Sequence, residues 1–406
     1  MTTSPTLSLK LALIPLVLLV ILLGTNVFYF GDASLDGSNQ FILLIGGFIA
    51  AIVGFTQKVS YNQMMDAVAD NLKSTSSSML ILLMVGALSG SWLISGIIPS
   101  MIYYGINLLN PSIFLAASVV ICALISVATG SSWTTSATVG IALIGIGNAM
   151  GIPSGMTAGA ILSGAYFGDK MSPLSDTTNL APAMAGGELF SHIRYMFYTT
   201  IPSITITLIV FVIISVFLQV EGEVTTGALQ SAIDERFFIH PVLFSVPILV
   251  ILMIVKKTPP LIALLIGTLL GGVFALIFQP DLVAAIQSSN HLTFESAYKG
   301  ILVSFTSDIA IETSNPELND LFSSGGMAGM LGTIWLIMCA MVFGGIMEAI
   351  GALSKITSSL LSLAKSTFGL FAATVASCLA INLTASDQYL AIVVPGKMFA
   401  KAYKDK

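Results

Sequence analysis

The stretch from Gly164 to Pro182, G-A-Y-F-G-D-K-M-S-P-L-S-D-T-T-N-L-A-P, concentrates oxygen-bearing side chains in a chain that is otherwise strongly apolar. Carboxylate, hydroxyl and amide oxygens are the hard ligands that small cations prefer. Pro173 and Pro182 are expected to break the backbone, and hydrocarbon cannot satisfy the freed carbonyls, so the segment must face protein or a watery cavity. A cytoplasmic loop with Asp and Ser caps is the alternative, above all for Asp169 beside Lys170. The predicted cation ligands are Asp169, Ser172, Ser175, Asp176, Thr177, Thr178 and Asn179.

A second polar stretch, T-G-S-S-W-T-T-S-A-T from Thr129 to Thr138, carries seven hydroxyl groups in ten residues between two apolar runs. It predicts a broken helix in which the oxygens of Ser131 and Ser132 line a cavity at membrane depth. Hydroxyl bonds between neighbouring helices are the alternative, since Ser and Thr commonly link helices in membranes. Between the last two apolar runs, a related stretch, N-L-T-A-S-D-Q-Y, contributes Asn382, Ser386 and Asp387.

Carboxylates inside apolar runs are a third chemical signal, because an ionisable residue in a bilayer is costly and therefore a candidate for function. Glu348 lies in F-G-G-I-M-E-A-I-G near the end of such a run, where it either takes part in exchange or only reaches the membrane interface. A carboxylate held away from water keeps its proton until a cation arrives to neutralise it, and this competition is sufficient for obligatory exchange. The candidates for such coupling are Asp176, Asp387 and Glu348.

The elements that position these residues must face lipid rather than water. The chain has 406 residues, of which 55% are apolar and 9% are charged, and its mean hydropathy is +0.95. Globular domains carry about 25% charged residues, so a soluble globular protein, a disordered chain and a nucleic-acid-binding surface are excluded. The three cysteines form no C-x-x-C pair, which predicts neither a disulfide framework nor a zinc site. No nucleotide-binding motif occurs, so no cofactor is expected and ion gradients would drive transport.

Apolar runs bounded by charges or by Gly, Pro and Asn predict an all-α membrane protein with about twelve transmembrane helices. The predicted spans are 11–30, 41–57, 78–98, 112–129, 132–150, 154–168, 195–219, 241–255, 259–279, 328–350, 367–385 and 388–400. If the N-terminus lies in the cytoplasm, the inner side receives thirteen of the fifteen Lys and Arg residues, all but Arg236 and Lys299. This asymmetry is the positive-inside pattern and supports the topology. The outer segments are acidic and are expected to be solvated loops.

The two halves of the chain show weak internal similarity. Placing Cys122 over Cys378, an offset of 256 residues, aligns the hydroxyl-rich stretch with the one that holds Asp387. The run F-I-L-L-I-G-G-F-I-A-A-I-V-G from Phe41 resembles L-I-A-L-L-I-G-T-L-L-G-G-V-F from Leu261, and these two spans cross in opposite directions. Two inverted-topology repeats, with broken helices or re-entrant loops at the midplane, are therefore expected. Chance likeness between apolar helices that contain glycine is the alternative.

The repeat also predicts how the chain is divided. If Gly140 pairs with Gly396, the counterparts of 141–182 need more residues than follow position 396, so the second repeat is expected to be incomplete. The predicted regions are an N-terminal helix at 1–40, a first repeat at 41–220, a connecting region at 221–258 and a second repeat at 259–406.

The polar motifs resemble those of a known family. The string G-D-K-M-S-P-L-S-D-T-T-N-L-A-P, from Gly168 to Pro182, is similar to the hallmark of NhaC-type sodium/proton antiporters. G-S-S-W at Gly130, F-G-G-I-M-E ending at Glu348, and D-Q-Y with P-G-K-M-F within 387–399 resemble further motifs of that family. Family members continue past P-G-K-M-F into another polar loop, which this chain is expected to lack. Members that resemble malate/lactate antiporters share these motifs, so the string indicates the family better than the substrate.

The resemblance implies a bacterial inner-membrane carrier that exports Na⁺ in exchange for H⁺ and serves pH homeostasis. Na⁺ is expected at Asp176, Thr177 and Asp387, with Asp169 and Glu348 tuning the coupling. Membrane lipid, Na⁺ and H⁺ are the expected partners, nucleic acid is not, and a homo-oligomer is compatible with the sequence.

Other functions stay open at this point. A Na⁺-coupled organic-acid or amino-acid antiporter would need a group that holds a carboxylate, and Lys170 or the positive end of a broken helix would serve. An intramembrane aspartyl protease would pair two Asp residues, yet Asp169 follows Tyr-Phe-Gly, Asp387 follows Ser, and no Pro-Ala-Leu occurs. A channel would not couple two fluxes. A secondary transporter rather than an enzyme is therefore predicted.

Overall fold

The computed structural model describes residues 7–108, 111–173, 175–217, 226–256, 258–289, 291–313, 319, 322–362, 366–385 and 388–404, and most of them are helical. Six described helices are long and apolar enough to cross a bilayer. A bent pair, Gln230–Arg236 with Pro241–Ile254 at 87°, makes seven if it forms one broken span. These helices define an all-α membrane protein, and the described residues add one small two-stranded ribbon.

The regular elements run almost without interruption along the described chain. In order, the helices are α1 (Leu9–Phe30), α2 (Ser38–Thr56), α3 (Tyr61–Ile94), α4 (Ile97–Leu108), α5 (Pro111–Thr129), α6 (Ser132–Thr135), α7 (Ile141–Ala149), α8 (Ser154–Met171), α9 (Asp176–Ala185), α10 (Leu189–Phe217), α11 (Thr226–Arg236), α12 (Ser245–Val255), α13 (Pro260–Phe278), α14 (Pro280–Ile286), α15 (Phe294–Thr306), α16 (Leu331–Ala349), α17 (Ala352–Ser362), α18 (Thr367–Ala385) and α19 (Gln388–Lys404). A π-helical turn at Ser136–Gly140 joins α6 to α7, and short 3₁₀ turns lie at Gly31–Asp36, Pro241–Phe244 and Ala328–Met330.

The chain divides into two compact units. The first unit comprises Met1–Met79, Asn179–Leu189 and Leu331–Lys406, and its apolar core includes the buried side chains of Phe343 and Met347. The second unit comprises Leu80–Thr178 and Phe190–Met330. Its core includes the buried side chains of Trp92, Phe114 and Phe322.

Each of the twelve apolar runs predicted from the sequence overlaps a helix of the described chain, although the membrane crossing of the shorter ones remains a prediction. The largest difference lies in α3, which begins at Tyr61, well before the predicted start at 78. Because neither Gly nor Pro occurs between Tyr61 and Val85, nothing stops the polar first half from joining the apolar second half in one helix.

Small residues set the helix packing within each unit. In the first unit, Gly46 and Gly47 of α2 face α16, where an added methyl group at Gly46 would lie 3.3 Å from the Phe343 side chain. In the second unit, Ser91 of α3 donates to the backbone carbonyl of Thr268 in α13 at 2.6 Å. Close helix approach through Gly and Ser is the usual means of association in membranes.

The acidic segment after α15 is folded at both described ends, although its described carboxylates, Asp308 and Glu312, are exposed to solvent. β1 (Ile309–Ala310) pairs antiparallel with β2 (Ser323–Ser324), and the register places Ile309 opposite Ser324. Ile309 and Phe322 are buried. Ser324 Oγ donates to Ser89 Oγ of α3 at 3.2 Å, so the ribbon is anchored to a membrane helix. Apolar side chains between the acidic residues are buried and hold the ribbon in place, a feature that the number of charges in the segment does not predict.

Candidate ion-binding site

The site begins where α5 and α8 lie in close contact in the second unit. Gly164 and Gly168 form a G-x-x-x-G pair on α8, and the backbone of α5 lies directly against both. A methyl group added at Gly168 would lie 2.5 Å from the carbonyl oxygen of Ala123 and 2.6 Å from the Val127 nitrogen. Ser126 Oγ also donates to the Ala165 carbonyl at 2.6 Å. The last turn of α8 is therefore held rigidly beside the end of α5.

The helical path breaks directly after α5, as the hydroxyl-rich stretch predicts. Gly130 adopts φ +71°, a left-handed conformation that glycine accepts without a steric cost, and Ser131 is extended at φ −147°. Ser131 Oγ then accepts from the Thr134 nitrogen at 3.2 Å and caps the next helix, α6. The break turns the first hydroxyl of α6, that of Ser132, towards α8.

Asp169 and Ser132, which the sequence places in separate motifs, meet at this break. Asp169 lies in the last turn of α8 and is 7% exposed, and its Oδ2 accepts a hydrogen bond from Ser132 Oγ at 2.9 Å. A buried carboxylate is stable only where hydrogen bonds and neutralising charge compensate for the water it has lost. A hydroxyl suits this role, since it can donate to the carboxylate while its own oxygen still accepts or binds a cation.

The link from α8 to α9 orders the remaining hydroxyls around backbone groups. Thr178 Oγ1 donates to the carbonyls of Asp169 at 3.1 Å and of Lys170 at 3.2 Å. Ser172 Oγ donates to the Val127 carbonyl at 2.8 Å, and Ser175 Oγ accepts from the Thr178 nitrogen at 3.3 Å. These bonds satisfy groups that the ends of α5, α8 and α9 leave without helical partners. The bonds of Thr178 also tie the start of α9 to the last turn of α8, which carries Asp169.

Pro182 does not break the chain, which corrects the prediction of two interruptions. Pro173 lies in the non-helical link, but Pro182 lies inside α9, about one turn before the end of that helix. At a position this close to the helix end, proline removes one backbone hydrogen bond but does not prevent the last turn from forming. The helix closes further on, where Gly186 adopts φ +76° and the Gly187 nitrogen donates to the Pro182 carbonyl at 2.8 Å.

Several predicted ligands are placed elsewhere or fall outside the described part of the chain. Thr177 is half-buried in the second unit, with its hydroxyl 3.0 Å from Ser175 Oγ, whereas Asn179 is exposed in the first unit. Asn382 is exposed on α18, also in the first unit. The residues whose side chains lie outside the described part are Asp176, Ser386 and Asp387.

Glu348 has a neighbour that the sequence reading missed. It is exposed near the end of α16, and the buried Asn71 of α3 reaches it within the first unit. With its amide oriented to satisfy both atoms, Asn71 donates from Nδ2 to Glu348 Oε2 at 3.2 Å and accepts at Oδ1 from the Gly345 nitrogen at 2.9 Å. Asn71 lies in the polar half of α3, ahead of the predicted span at 78–98. The apolar pattern that predicts the spans gives no signal for a polar residue outside them.

A cavity of about 280 Å³ opens beside the Asp169–Ser132 pair in the second unit. Its polar lining comes from Ser132, Ser136 and Tyr166, and apolar side chains such as Leu82 and Trp133 form most of the remaining wall. Ser132 is therefore shared, since it lines the cavity and donates to the buried carboxylate. A solute in the cavity would reach Asp169 through this hydroxyl.

A multi-pass helical protein with a buried carboxylate beside a broken helix has the features of ion-coupled carriers. The model of the Na⁺/H⁺ antiporter family matches residues 164–406. The chain is 35% identical to the malate-2H⁺/Na⁺-lactate antiporter of Bacillus subtilis over 391 residues. This alignment covers 95% of this chain and 79% of the relative. It is 35% identical over 355 residues to the Na⁺/H⁺ antiporter NhaC of Alkalihalophilus pseudofirmus, an alignment that covers 87% of this chain and 74% of that relative. NhaC of Bacillus subtilis is 34% identical over 338 residues, which cover 83% of this chain and 72% of that relative.

This chain therefore belongs to the Na⁺/H⁺ antiporter family, which confirms the resemblance seen in its motifs. The match includes the whole hallmark string from Gly168 to Pro182.

Proposed function

We propose that this chain is a secondary transporter that exports Na⁺ in exchange for H⁺ across the bacterial inner membrane, with its N-terminus in the cytoplasm. The observation that carries the proposal is Asp169, a buried carboxylate bonded by Ser132 at a helix break. Such a carboxylate needs either a bound proton or a cation beside it, because an uncompensated charge there is costly. Alternate occupation by the two ions couples their movements.

Within this proposal, the oxygens around Asp169 form one side of the Na⁺ site. The hydroxyls of Ser132, Ser172 and Thr178 already donate their hydrogens, so their oxygen lone pairs remain for a cation. Na⁺ would also be held at Asp176, Thr177 and Asp387. Asp176 and Asp387 carry the coupling together with Asp169, and Glu348 tunes it.

Helix bounds support the proposed repeat and the twelve spans. An offset of 256 residues carries α5, which begins at Pro111 and ends at Thr129, onto the full length of α18. The same offset carries the start of α6, Ser132, onto the start of α19 at Gln388. α4 and α17 correspond to within two residues at each end. In this scheme Asp387 is the counterpart of Ser131, the cap at the helix break.

Ion flux in inverted membrane vesicles with an imposed pH gradient tests the proposal. Addition of Na⁺ is expected to release protons through the wild-type protein, whereas Asp176→Asn and Asp387→Asn should abolish the response. Glu295→Gln is the matched control, because Glu295 is an exposed carboxylate on α15. Undiminished proton release in either aspartate variant would remove that residue from the mechanism. The absence of any response to Na⁺ in the wild-type protein would overturn Na⁺/H⁺ exchange itself.

Na⁺-coupled organic-acid exchange is the second candidate function, and the cavity favours it. Its volume of about 280 Å³ is several times the roughly 30 Å³ that one water molecule occupies, far more than a single sodium ion needs. Its largely apolar wall would suit the carbon skeleton of a small acid, and the Bacillus subtilis relative is named for malate and lactate. Proton flux that requires malate or lactate in addition to Na⁺ would select this function. Full flux with Na⁺ alone would exclude it.

A further inference from the structure

A further cavity of about 170 Å³ lies between α8 and α10 in the second unit. It is more polar than the cavity at Ser132, and the Tyr166 side chain borders both. Its polar lining consists of one ammonium group and five hydroxyls, those of Lys170, Ser163, Tyr166, Thr200, Ser203 and Thr207. The proposed exchange of Na⁺ for H⁺ uses none of these residues, and Tyr166 is shared with the cavity considered for an organic acid.

The polar groups of this cavity form a column along the two helices. Gly159 of α8 lies opposite Phe211 of α10, where an added methyl group would be 3.7 Å from the ring. From this contact the cavity extends along later residues of α8 and earlier residues of α10, so the two helices run in opposite directions. Ser163 is then level with Thr207, and Lys170 with Thr200. Seven residues of helix separate these two levels, a distance of about 10 Å. The ammonium group therefore lies at one end of a column of hydroxyls.

The column is rich in hydrogen-bond donors that remain available. Ser163 and Thr207 donate their hydroxyl hydrogens to the carbonyls of Gly159 and Ser203 in their own helices. The hydroxyls of Thr200, Ser203 and Tyr166 have no partner within the described part of the chain, and Lys170 forms no ion pair there. A fixed positive charge next to free donors complements an oxyanion rather than a cation.

The surroundings of the cavity resemble the edge of a bilayer. Tyr195 and Tyr198 on α10 are exposed close to Arg194, a grouping typical of the membrane–water interface. Further along α10, Ile206 and Val210 are exposed apolar side chains, as expected for a surface that faces lipid chains. The ammonium end of the column thus lies on the interfacial side, and the apolar surface continues from its other end.

We infer that this cavity binds an anionic phospholipid, with the phosphate between Lys170 and the hydroxyls of Thr200 and Ser203. The ester oxygens of the glycerol would then lie near Ser163 and Thr207, and the acyl chains would cover the exposed face of α10. Basic pockets between membrane helices bind anionic headgroups in this way. A free oxyanion shares the phosphate chemistry but has no chains to cover α10. The inference does not depend on which ions are exchanged.

Native mass spectrometry of the full chain in detergent, titrated separately with phosphatidylglycerol and phosphatidylcholine, tests this assignment. We expect preferential retention of phosphatidylglycerol, and Lys170→Gln should weaken it by about fivefold, the effect of one lysine at an anionic surface. Lys170→Arg should retain binding. Lys256→Gln is the matched control, since it removes an exposed lysine from the end of α12 in the same unit and should change nothing.

A second variant and a competition experiment keep the assignment falsifiable if Lys170→Gln folds poorly. The double substitution Thr200→Val and Ser203→Ala keeps the lysine and the side-chain volumes, and it should also weaken retention of phosphatidylglycerol. Inorganic phosphate should not displace the lipid. Equal retention of both lipids, unchanged binding in Lys170→Gln, or displacement of the lipid by inorganic phosphate alone would each overturn the proposal.

Discussion

Asp169 in the second unit and Glu348 in the first occupy similar positions in their helices but have different surroundings. Each lies in the last turn of an apolar helix, close to a glycine that touches a neighbouring backbone. Gly168 contacts α5, and an added methyl group at Gly345 would lie 2.7 Å from Val68 Cα of α3. Asp169 is buried and bonded by a hydroxyl, whereas Glu348 is exposed and bonded by an amide.

The difference depends on the neighbouring helix. α5 ends at Gly130, and the break brings the start of α6 to the carboxylate, where Ser132 can donate. α3 continues past Glu348 without a break, so it supplies only the side chain of Asn71. The helix break creates a buried polar site, and the continuous helix leaves its carboxylate exposed. Asp169 should therefore be more important for exchange than Glu348.

The largest effect is expected from Asp169→Asn. Asparagine can still accept from Ser132, so the fold should persist, but the buried carboxylate that alternates between a proton and Na⁺ at the helix break is lost. Na⁺-driven proton flux in proteoliposomes should fall to the level of empty liposomes. Glu348→Gln should retain a measurable fraction of the flux. Equal losses in the two variants would show that burial does not distinguish these carboxylates.

Gly168→Val should be the most destabilising substitution in this comparison. Its side chain would meet the Ala123 carbonyl and the Val127 nitrogen, backbone atoms that move only with the helix. Overpacking of this kind costs about 1–3 kcal/mol, and thermal unfolding in detergent should show a lower midpoint. Gly155→Ala on the same helix is the control, because nothing lies within 4 Å of its added methyl group. An unchanged midpoint for Gly168→Val would contradict the close contact of α5 and α8.

Ser132→Ala should have an intermediate effect. A hydrogen bond to a charged group is worth about 1.5 kcal/mol, so the Na⁺ concentration for half-maximal exchange should shift by about tenfold. Ser132→Thr keeps the hydroxyl and should restore most of the activity. A shift in Ser132→Thr as large as that in Ser132→Ala would point to volume rather than to the bond with Asp169.

Asn71→Ala should have a smaller effect, seen in the pH profile of exchange more than in its maximum. The substitution removes one neutral amide bond to an exposed Glu348, a contribution of about 1 kcal/mol or less. The comparison with Glu348→Gln decides the mechanism. If Asn71 acts through Glu348, Asn71→Ala should not shift the profile further in a chain that already carries Glu348→Gln.

The smallest effect is expected at Glu295, a surface carboxylate with which Asp169 and Glu348 can be compared. Its hydrogen bond and charge interaction with Lys299 lower the pKa of Glu295 below its ordinary value. The stabilisation of the folded state by this pair is present above the pKa of Glu295 in the unfolded chain. It disappears as the pH falls through the lowered pKa of Glu295 in the folded chain. Because solvent screens such exposed pairs, Glu295→Gln should leave the unfolding midpoint near neutral pH unchanged. A clear drop there would contradict this placement on the surface.

Much of the fold and part of the site follow from local patterns. Apolar runs predict the helices because each must satisfy its backbone polar groups within itself. The seven hydroxyls at 129–138 predict the break, and the structure places it at Gly130. Pro182 was misjudged because the cost of proline depends on its distance from the helix end. Asn71 was missed because a polar helical segment and a loop have similar composition.

The sequence alone determined that this chain is a multi-pass helical membrane protein of an antiporter family, and that its few carboxylates and clustered hydroxyls carry the chemistry. Charge is costly in lipid, so the residues that retain it are conspicuous along the chain. The tertiary structure decided which of them act together. Asp169 and Ser132 lie 37 positions apart, and they meet because glycines allow two helix backbones into contact beside a break. Such contacts depend on the packing of distant segments, which no local pattern contains.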